Sequence, residues 1–202
     1  MSPVPPWEVT PALQLPRLLT LARFAVEARN TAVADARRDA GDTNWGIGCR
    51  AYERFIFRVT TAAASRDYPW LRLLREGLSV TMDVEGVLIR AYTGRADKPE
   101  ARHVLAARAD AEPPDDRQLA LFSFAAPNAD ENRWVWLMAV ETDAEGHAAR
   151  VTFFQADTAG ETRNAWDAPM AELLPKPEAK PQKARAPKVE PRRVPVTASL
   201  FD

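Results

Sequence analysis

Residues 78–91 have the sequence Leu-Ser-Val-Thr-Met-Asp-Val-Glu-Gly-Val-Leu-Ile-Arg-Ala, and this stretch decides the fold class. Apolar residues alternate with other residues at Leu78, Val80 and Met82, and the alternation resumes after Gly86. A period of two is typical of β-strands, and a glycine between two such runs is typical of a hairpin turn. The stretch therefore predicts two antiparallel strands at the point where a helical pattern ends.

The sequence before this hairpin predicts three helices. Apolar residues recur at helical spacing over 10–41, where Pro16 is placed to delay or kink the first helix. A second helix is predicted over 49–65, and a short third helix over 67–77, ending at a glycine. These helices are expected to form one layer of the molecule.

The sequence after the hairpin predicts five more strands. They are expected at 102–109, 118–126, 133–142, 148–157 and 162–166. Short turns separate the last four strands, and this spacing favours an antiparallel meander over βαβ units. The predicted fold is α+β, with an N-terminal helical layer packed on a largely antiparallel β-meander, in a single domain of residues 1–174.

Residues 175–195 have a different composition from the rest of the chain. They contain six prolines and seven cations, opposed by Glu178 and Glu190. Such a segment buries too little apolar surface to offset its chain entropy, so we predict a disordered basic linker. Its positive charge predicts salt-sensitive contact with a polyanion, either nucleic acid or an anionic membrane surface, and DNA is the partner that we carry forward. The cations proposed for this contact are Lys176, Lys180, Lys183, Arg185, Lys188, Arg192 and Arg193.

Residues 196–202 follow this linker and form a separate short linear motif. The motif contains Thr197-Ala198-Ser199-Leu200-Phe201. This segment resembles the peptides with which bacterial polymerases and mismatch-repair proteins bind the DNA sliding clamp, whose usual form is Gln-Leu-Ser/Asp-Leu-Phe. The last three positions match, while Thr197 replaces the usual glutamine and Ala198 the usual leucine. The resemblance implies that Leu200 and Phe201 enter a preformed pocket on the clamp.

A second match to the same peptide pattern lies inside the predicted domain. Residues 118–122 read Gln-Leu-Ala-Leu-Phe, which agrees at four of the five usual positions. They belong to the strand predicted over 118–126, and a segment paired in a sheet enters a pocket only after local unfolding. We therefore favour the C-terminal segment as the clamp-binding peptide.

Three groups of residues in the domain are candidates for chemistry. Two glycines and a cation in 44–50 precede the second predicted helix, which suits either phosphate binding or a helix-capping turn. Carboxylates at predicted strand ends could hold magnesium or act in hydrolysis: Asp83, Glu85, Glu141, Asp143 and Asp157. A basic aromatic surface for single strands or phosphates could form from Arg90, Tyr92, Arg95, Lys98, Arg102, His103 and Arg108.

Composition limits the remaining classes of function. No segment approaches the ~20 apolar residues of a membrane span, and the N-terminus lacks the pattern of a signal peptide. One cysteine and two histidines cannot build a zinc cluster without several carboxylates, so we predict neither a metal nor a cofactor. The single Cys49 excludes an internal disulfide and fits a reducing cytoplasm. We expect no membrane partner.

These observations support one hypothesis above two others. The chain is interpreted as a cytoplasmic, non-catalytic accessory protein of bacterial DNA replication or repair, tethered to the sliding clamp by its C-terminal peptide. The first alternative is an enzyme that processes nucleic acids or nucleotides with the strand-end carboxylates. The second is a partner-binding protein whose basic tail only keeps it in solution.

Overall fold

The structure is a computed structural model, and the residues that it describes are 4–75, 80–111 and 134–174. Within them the fold is α+β, as the sequence predicted, with helices on a mostly antiparallel six-stranded sheet. The helices are α1 (Pro6–Val9), α2 (Leu15–Ala34), α3 (Asn44–Ala64), α4 (Ala101–Ala111) and α5 (Met170–Leu173). The strands are β1 (Leu71–Arg75), β2 (Val80–Val84), β3 (Val87–Thr93), β4 (Val135–Thr142), β5 (Ala148–Ala156) and β6 (Thr162–Asp167).

The predicted hairpin is confirmed as β2 and β3, which pair antiparallel with Val84 opposite Val87. Glu85 and Gly86 connect the strands, and both have positive φ angles, 49° and 88°. Two successive positive φ values give a two-residue turn whose twist matches that of the strands. The Asp83 carboxylate accepts a hydrogen bond from the Gly86 N–H at 2.6 Å. Local turn chemistry therefore fixes this hairpin.

The six strands lie side by side in chain order, from β1 to β6. Four of the five neighbouring pairs are antiparallel, but β3 and β4 are parallel, with Ile89 opposite Trp136 and Thr93 opposite Val140. Parallel neighbours need a crossover connection, and α4 lies in this one. The prediction of an uninterrupted meander is therefore wrong at this connection.

Helices α2 and α3 cover one face of the sheet, as the predicted helical layer required. Helix α2 begins at Leu15 and not at 10, because Pro16 is tolerated in a first turn, where its missing N–H needs no partner. Helix α3 begins at Asn44 and not at 49, because the Thr43 side chain accepts the Gly46 N–H and caps the helix. Large, fully buried side chains between these helices and the sheet include Leu18, Leu21, Met82, Ile89, Met138 and Phe153.

Helix α4 packs on the opposite face of the sheet. Val104 and Ala107 contact a second buried cluster that includes Leu137 and Phe154. The prediction of a strand over 102–109 is therefore wrong, because this segment is helical. Alanine has the highest helix propensity, and five of the eleven residues of α4 are alanine.

Strand β1 occupies part of the segment predicted to be the third helix, 67–77, so that prediction is also wrong. It pairs antiparallel with β2, with Leu71 opposite Val84 and Leu73 opposite Met82. Leu71 is buried, while the next residue, Arg72, is exposed. The strand is short, and its conformation is set by the core that Leu71 completes beside β2.

The strands predicted over 133–142, 148–157 and 162–166 are confirmed. Strands β4, β5 and β6 begin and end within two residues of these predicted bounds. The strand predicted over 118–126 and the linker and motif of 175–202 lie outside the described residues. In the described part of the chain, no helix combines the length and the apolar character needed to cross a bilayer.

Candidate functional site

The clamp-like segment and the basic linker are not part of the described structure. Thr197 to Phe201, the seven linker cations and the second peptide match at 118–122 all lie outside it. The geometry of the folded part therefore bears only on the other candidates, which are the strand-end carboxylates, the basic aromatic surface and the glycines of 44–50.

The carboxylates of the β2–β3 hairpin stabilise that hairpin. Asp83 accepts the Gly86 N–H, as described above. Glu85 accepts two hydrogen bonds from Arg17, each 2.6 Å long, which join the turn to α2. The hydrogen bonds from Arg17 lower the pKa of Glu85 below its usual range. Both carboxylates are already engaged by the protein itself.

The carboxylates at the ends of β4 and β5 have similar partners. Glu141 accepts the Ala96 N–H at 3.2 Å. Asp143 accepts the His147 N–H at 2.8 Å and so closes the turn between β4 and β5. The fully buried Asp157 accepts the N–H groups of two residues in the turn before β6, at 2.8 and 3.0 Å.

These five carboxylates do not converge on one position. Glu85 lies at the start of β3, whereas Glu141 lies near the end of β4, and these two strands are parallel neighbours. The two acids therefore lie at opposite ends of the sheet. Among the described residues, no group of three or more histidines, cysteines and acids is arranged to hold a metal ion.

The predicted basic aromatic surface is divided into separate ion pairs. Arg90 is buried and contacts Asp110 of α4 at 3.0 Å. The exposed Arg95 and Arg102 pair with Asp97 and Glu100. Because each of these guanidiniums has a carboxylate partner, the surface offers less free positive charge than its sequence suggests.

His103 and Tyr92 are stacked, with their ring centroids 4.3 Å apart. Burial lowers the pKa of His103, and nearby Arg102 lowers it further. The Tyr92 hydroxyl donates to the backbone carbonyl of Arg95 at 2.8 Å. The stacked rings therefore join α4 to the sheet.

The glycines of 44–50 lie inside α3 and not in a loop before it. Thr43 already accepts the Gly46 N–H, so this helix start is capped by the protein's own side chain. Both the phosphate-binding and the glycine-turn interpretations had placed these residues before the helix, and that placement is wrong. Cys49 is a partly buried free thiol on the same helix.

A small cavity lies between α2, α3 and the adjacent ends of β3 and β4. Its volume is about 40 Å³, and most of its wall is apolar. The lining residues include Ala25, Ala51, Phe55, Met138 and Val140, together with the polar side chains of Arg29 and Tyr52. One of the lining groups, the Tyr52 hydroxyl, is buried without a described hydrogen-bond partner.

Arg29 brings a buried positive charge to this cavity, since only 8% of the residue is exposed. Its Nε donates to the Gly146 carbonyl oxygen at 2.6 Å. Among the described residues, the Arg29 side chain makes only this hydrogen bond to Gly146. No carboxylate of the described residues forms an ion pair with Arg29. Burial lowers the pKa of Arg29, and the carboxylate of Asp143 partly opposes that shift.

Tyr52 brings a second donor. Its hydroxyl is buried and has no hydrogen-bond partner in the described residues. Burial raises the pKa of Tyr52 to about 12. At neutral pH the Tyr52 hydroxyl is therefore protonated and cannot act as a general base.

Sequence reasoning missed this cavity, although one signal was present. Arg29 follows Ala25 by four residues and precedes Ala32 by three, so it lies on the apolar stripe of α2. A charged residue on a buried stripe is uncommon, since arginine is rarely buried without a partner.

Comparison of the chain with protein-family models, curated proteins and solved structures found no match. The function therefore has to be argued from the residues of this chain alone.

Proposed function

We propose that this protein is a non-catalytic accessory protein of bacterial DNA replication or repair, and that its C-terminal peptide tethers it to the sliding clamp. The observation that carries the proposal is the sequence Ser199-Leu200-Phe201, which matches the last three positions of clamp-binding peptides. The preceding residues 175–195 are rich in proline and cations, which suits a solvated spacer between a folded domain and a docked peptide.

The folded part supports a binding role more than a catalytic one. The five strand-end carboxylates accept hydrogen bonds from turn N–H groups or from Arg17, and they lie at both ends of the sheet. A hydrolase would need such acids to converge on one reacting group. The separation of the five carboxylates weakens the alternative of an enzyme. The proposal also places the protein in the cytoplasm.

The peptide itself provides the sharpest test. A peptide of residues 190–202 should bind the purified sliding clamp of the same organism saturably in a fluorescence anisotropy titration. Replacing Leu200 and Phe201 by alanine should weaken binding at least about a hundredfold, because each fully buried side chain of this size contributes roughly 1.5–3 kcal/mol.

A matched control keeps the two anchors and changes a residue outside the motif. Val194→Ala should leave the affinity almost unchanged, because Val194 precedes the five motif positions. A peptide covering 116–124 tests the second match at 118–122. The proposal fails if the peptide of 190–202 shows no saturable binding, or if it and its double alanine version bind equally.

A further inference from the structure

A groove lies between α2 and α3 on the surface of the molecule. Its volume is about 640 Å³, which falls within the roughly 300–1,000 Å³ of small-ligand clefts. Aromatic rings line it at Phe24, Phe57 and Tyr68, and small apolar side chains line it at Ala28 and Ala62. Phe24 and Tyr68 pack edge to face with ring centroids 5.9 Å apart, while Phe57 is 70% exposed. The groove therefore has room and apolar surface for bulky side chains of another segment.

Two arginines bring positive charge to the same groove. Arg54 donates from Nη2 to Asp35 at 2.7 Å, and Arg58 donates to Glu27 at 2.5 Å. The other terminal nitrogen of Arg54, Nη1, is buried without a hydrogen-bond partner in the described residues. A guanidinium nitrogen without an acceptor is costly, so Arg54 has a donor to offer a further carboxylate. Asp67 also lines the groove, but it already accepts a neighbouring serine hydroxyl at 3.0 Å.

The part of the chain after Leu174, which lies outside the described structure, contains a segment with the matching chemistry. Leu200 and Phe201 are the one pair of adjacent large apolar residues in 175–202, and Asp202 follows them directly. The other two acids of that stretch have no such pair beside them. Residues 200–202 therefore combine bulky apolar side chains with a carboxylate, as the lining of the groove requires.

The length of the intervening chain allows these residues to reach the groove. The chain has 24 residues between Leu174 and Ser199. Such a length spans about 25–30 Å as a coil and up to about 70 Å when extended. Helix α2 has 20 residues and is about 30 Å long, so every part of the α2–α3 surface lies within reach. Because the two partners belong to one chain, even a weak contact forms at an effective concentration of about millimolar.

We propose that residues 200–202 dock in the groove between α2 and α3 of the same molecule. Leu200 and Phe201 pack against the aromatic rings of the groove, and the Asp202 carboxylate contacts Arg54. The same two apolar anchors are assigned to the sliding clamp, so a docked segment is withheld from the clamp. This regulatory consequence rests on the proposed function, whereas the docking itself does not.

The first test compares amide chemical shifts of ¹⁵N-labelled full-length protein with those of the double variant Leu200→Ala/Phe201→Ala. Differences are expected at Thr31, Thr61 and Ser65, which line the groove, because the variant leaves it empty. Val194→Ala is the matched control and should leave these amides unchanged. About tenfold dilution should also leave the differences unchanged, because the contact is intramolecular.

Variants of the groove test the assigned contacts from the other side. Phe57→Ala removes an exposed aromatic wall and should weaken docking at least about tenfold, so that the groove amides approach their values in the double variant. Trp45→Ala is its control, because Trp45 is 80% exposed on the same helix and lies outside the groove. Arg54→Gln and Asp202→Asn should each weaken docking about threefold to tenfold.

Clamp binding separates this inference from the proposed function. Phe57→Ala should raise the clamp affinity of the full-length protein by up to about tenfold, because the segment is released. If the peptide of 190–202 does not bind the clamp, the proposed function fails while the chemical-shift test of docking still stands.

Three results would overturn the docking itself. The first is identical groove amides in the unaltered protein and in the Leu200→Ala/Phe201→Ala variant. The second is loss of the differences on dilution, which would assign the groove to the same segment of a second copy. The third is an equal effect of Phe57→Ala and Trp45→Ala on the groove amides.

Discussion

At the scale of single residues, two buried arginines differ in whether they have a charged partner. Arg90 lies 7% exposed on β3 and contacts the Asp110 carboxylate at 3.0 Å, while the Thr81 hydroxyl donates to the same carboxylate at 2.5 Å. Arg29 is buried to a similar extent without a described carboxylate. The pair with Asp110 joins β2 and β3 to α4, whereas Arg29 donates to the Gly146 carbonyl oxygen and so joins α2 to the turn between β4 and β5.

Removing Asp110 should show how strongly the buried Arg90 depends on it. The Asp110→Ala variant leaves a buried guanidinium whose remaining side-chain partner, Thr81, lies 3.4 Å away. We expect the free energy of unfolding to fall by about 3–5 kcal/mol, the usual cost of removing one member of a buried ion pair. Urea unfolding followed by circular dichroism measures the change.

An exposed pair provides the control for that experiment. Arg95 and Asp97 form an ion pair whose side chains are 73% and 61% exposed, so Asp97→Ala should have little effect on unfolding. The double variant Arg90→Met/Asp110→Leu should recover much of the loss, because it leaves no unpaired charge. An equal loss in Asp97→Ala and Asp110→Ala would contradict this account of the buried pair.

At the scale of elements, the sequence predicts those whose conformation is decided locally. The β2–β3 hairpin was predictable because Gly86 sits between two alternating runs and adopts a positive φ. The segments over 67–77 and 102–109 were assigned to the wrong class because their apolar residues fit both periods over so short a length. Packing decides between them, since Leu71 completes the main core while Val104 packs on the opposite face of the sheet.

Two glycine substitutions separate backbone strain from helix propensity. At Gly86 an added Cβ meets no atom within 4 Å, but φ is +88°, so Gly86→Ala should destabilise the protein by about 1 kcal/mol through strain alone. Gly46 is helical, and an added Cβ would lie 3.7 Å from the Thr43 hydroxyl oxygen, an ordinary contact. Gly46→Ala should therefore stabilise the protein by roughly 0.5–1 kcal/mol. Thermal unfolding compares the two variants, and a loss of stability in both would mean that the first turn of α3 does not tolerate a side chain.

At the scale of the whole molecule, the arrangement of elements required information that local patterns do not contain. The parallel pairing of β3 with β4 joins residues far apart in sequence, such as Ile89 and Trp136. The cavity likewise forms only when α2, α3 and these two strands meet, so Arg29 and Tyr52 could not be linked from the sequence. The sequence did predict the α+β class, because it depends on the overall order of helical and strand patterns.

The basic linker gives a final prediction for the full-length chain. If its cations contact DNA, the affinity should fall steeply with salt and depend little on base sequence, because the contacts release counter-ions from phosphates. Replacing Lys180, Lys183, Arg185 and Lys188 by glutamine should weaken binding and reduce the slope of log affinity against log salt by about four. Anisotropy of a labelled duplex between about 50 and 200 mM salt measures both quantities.

The control replaces two surface arginines, Arg95 and Arg102, by glutamine, because each already pairs with a carboxylate of the domain. If the linker variant keeps its affinity and slope while the control loses them, the DNA contact belongs to the folded domain and not to residues 175–195.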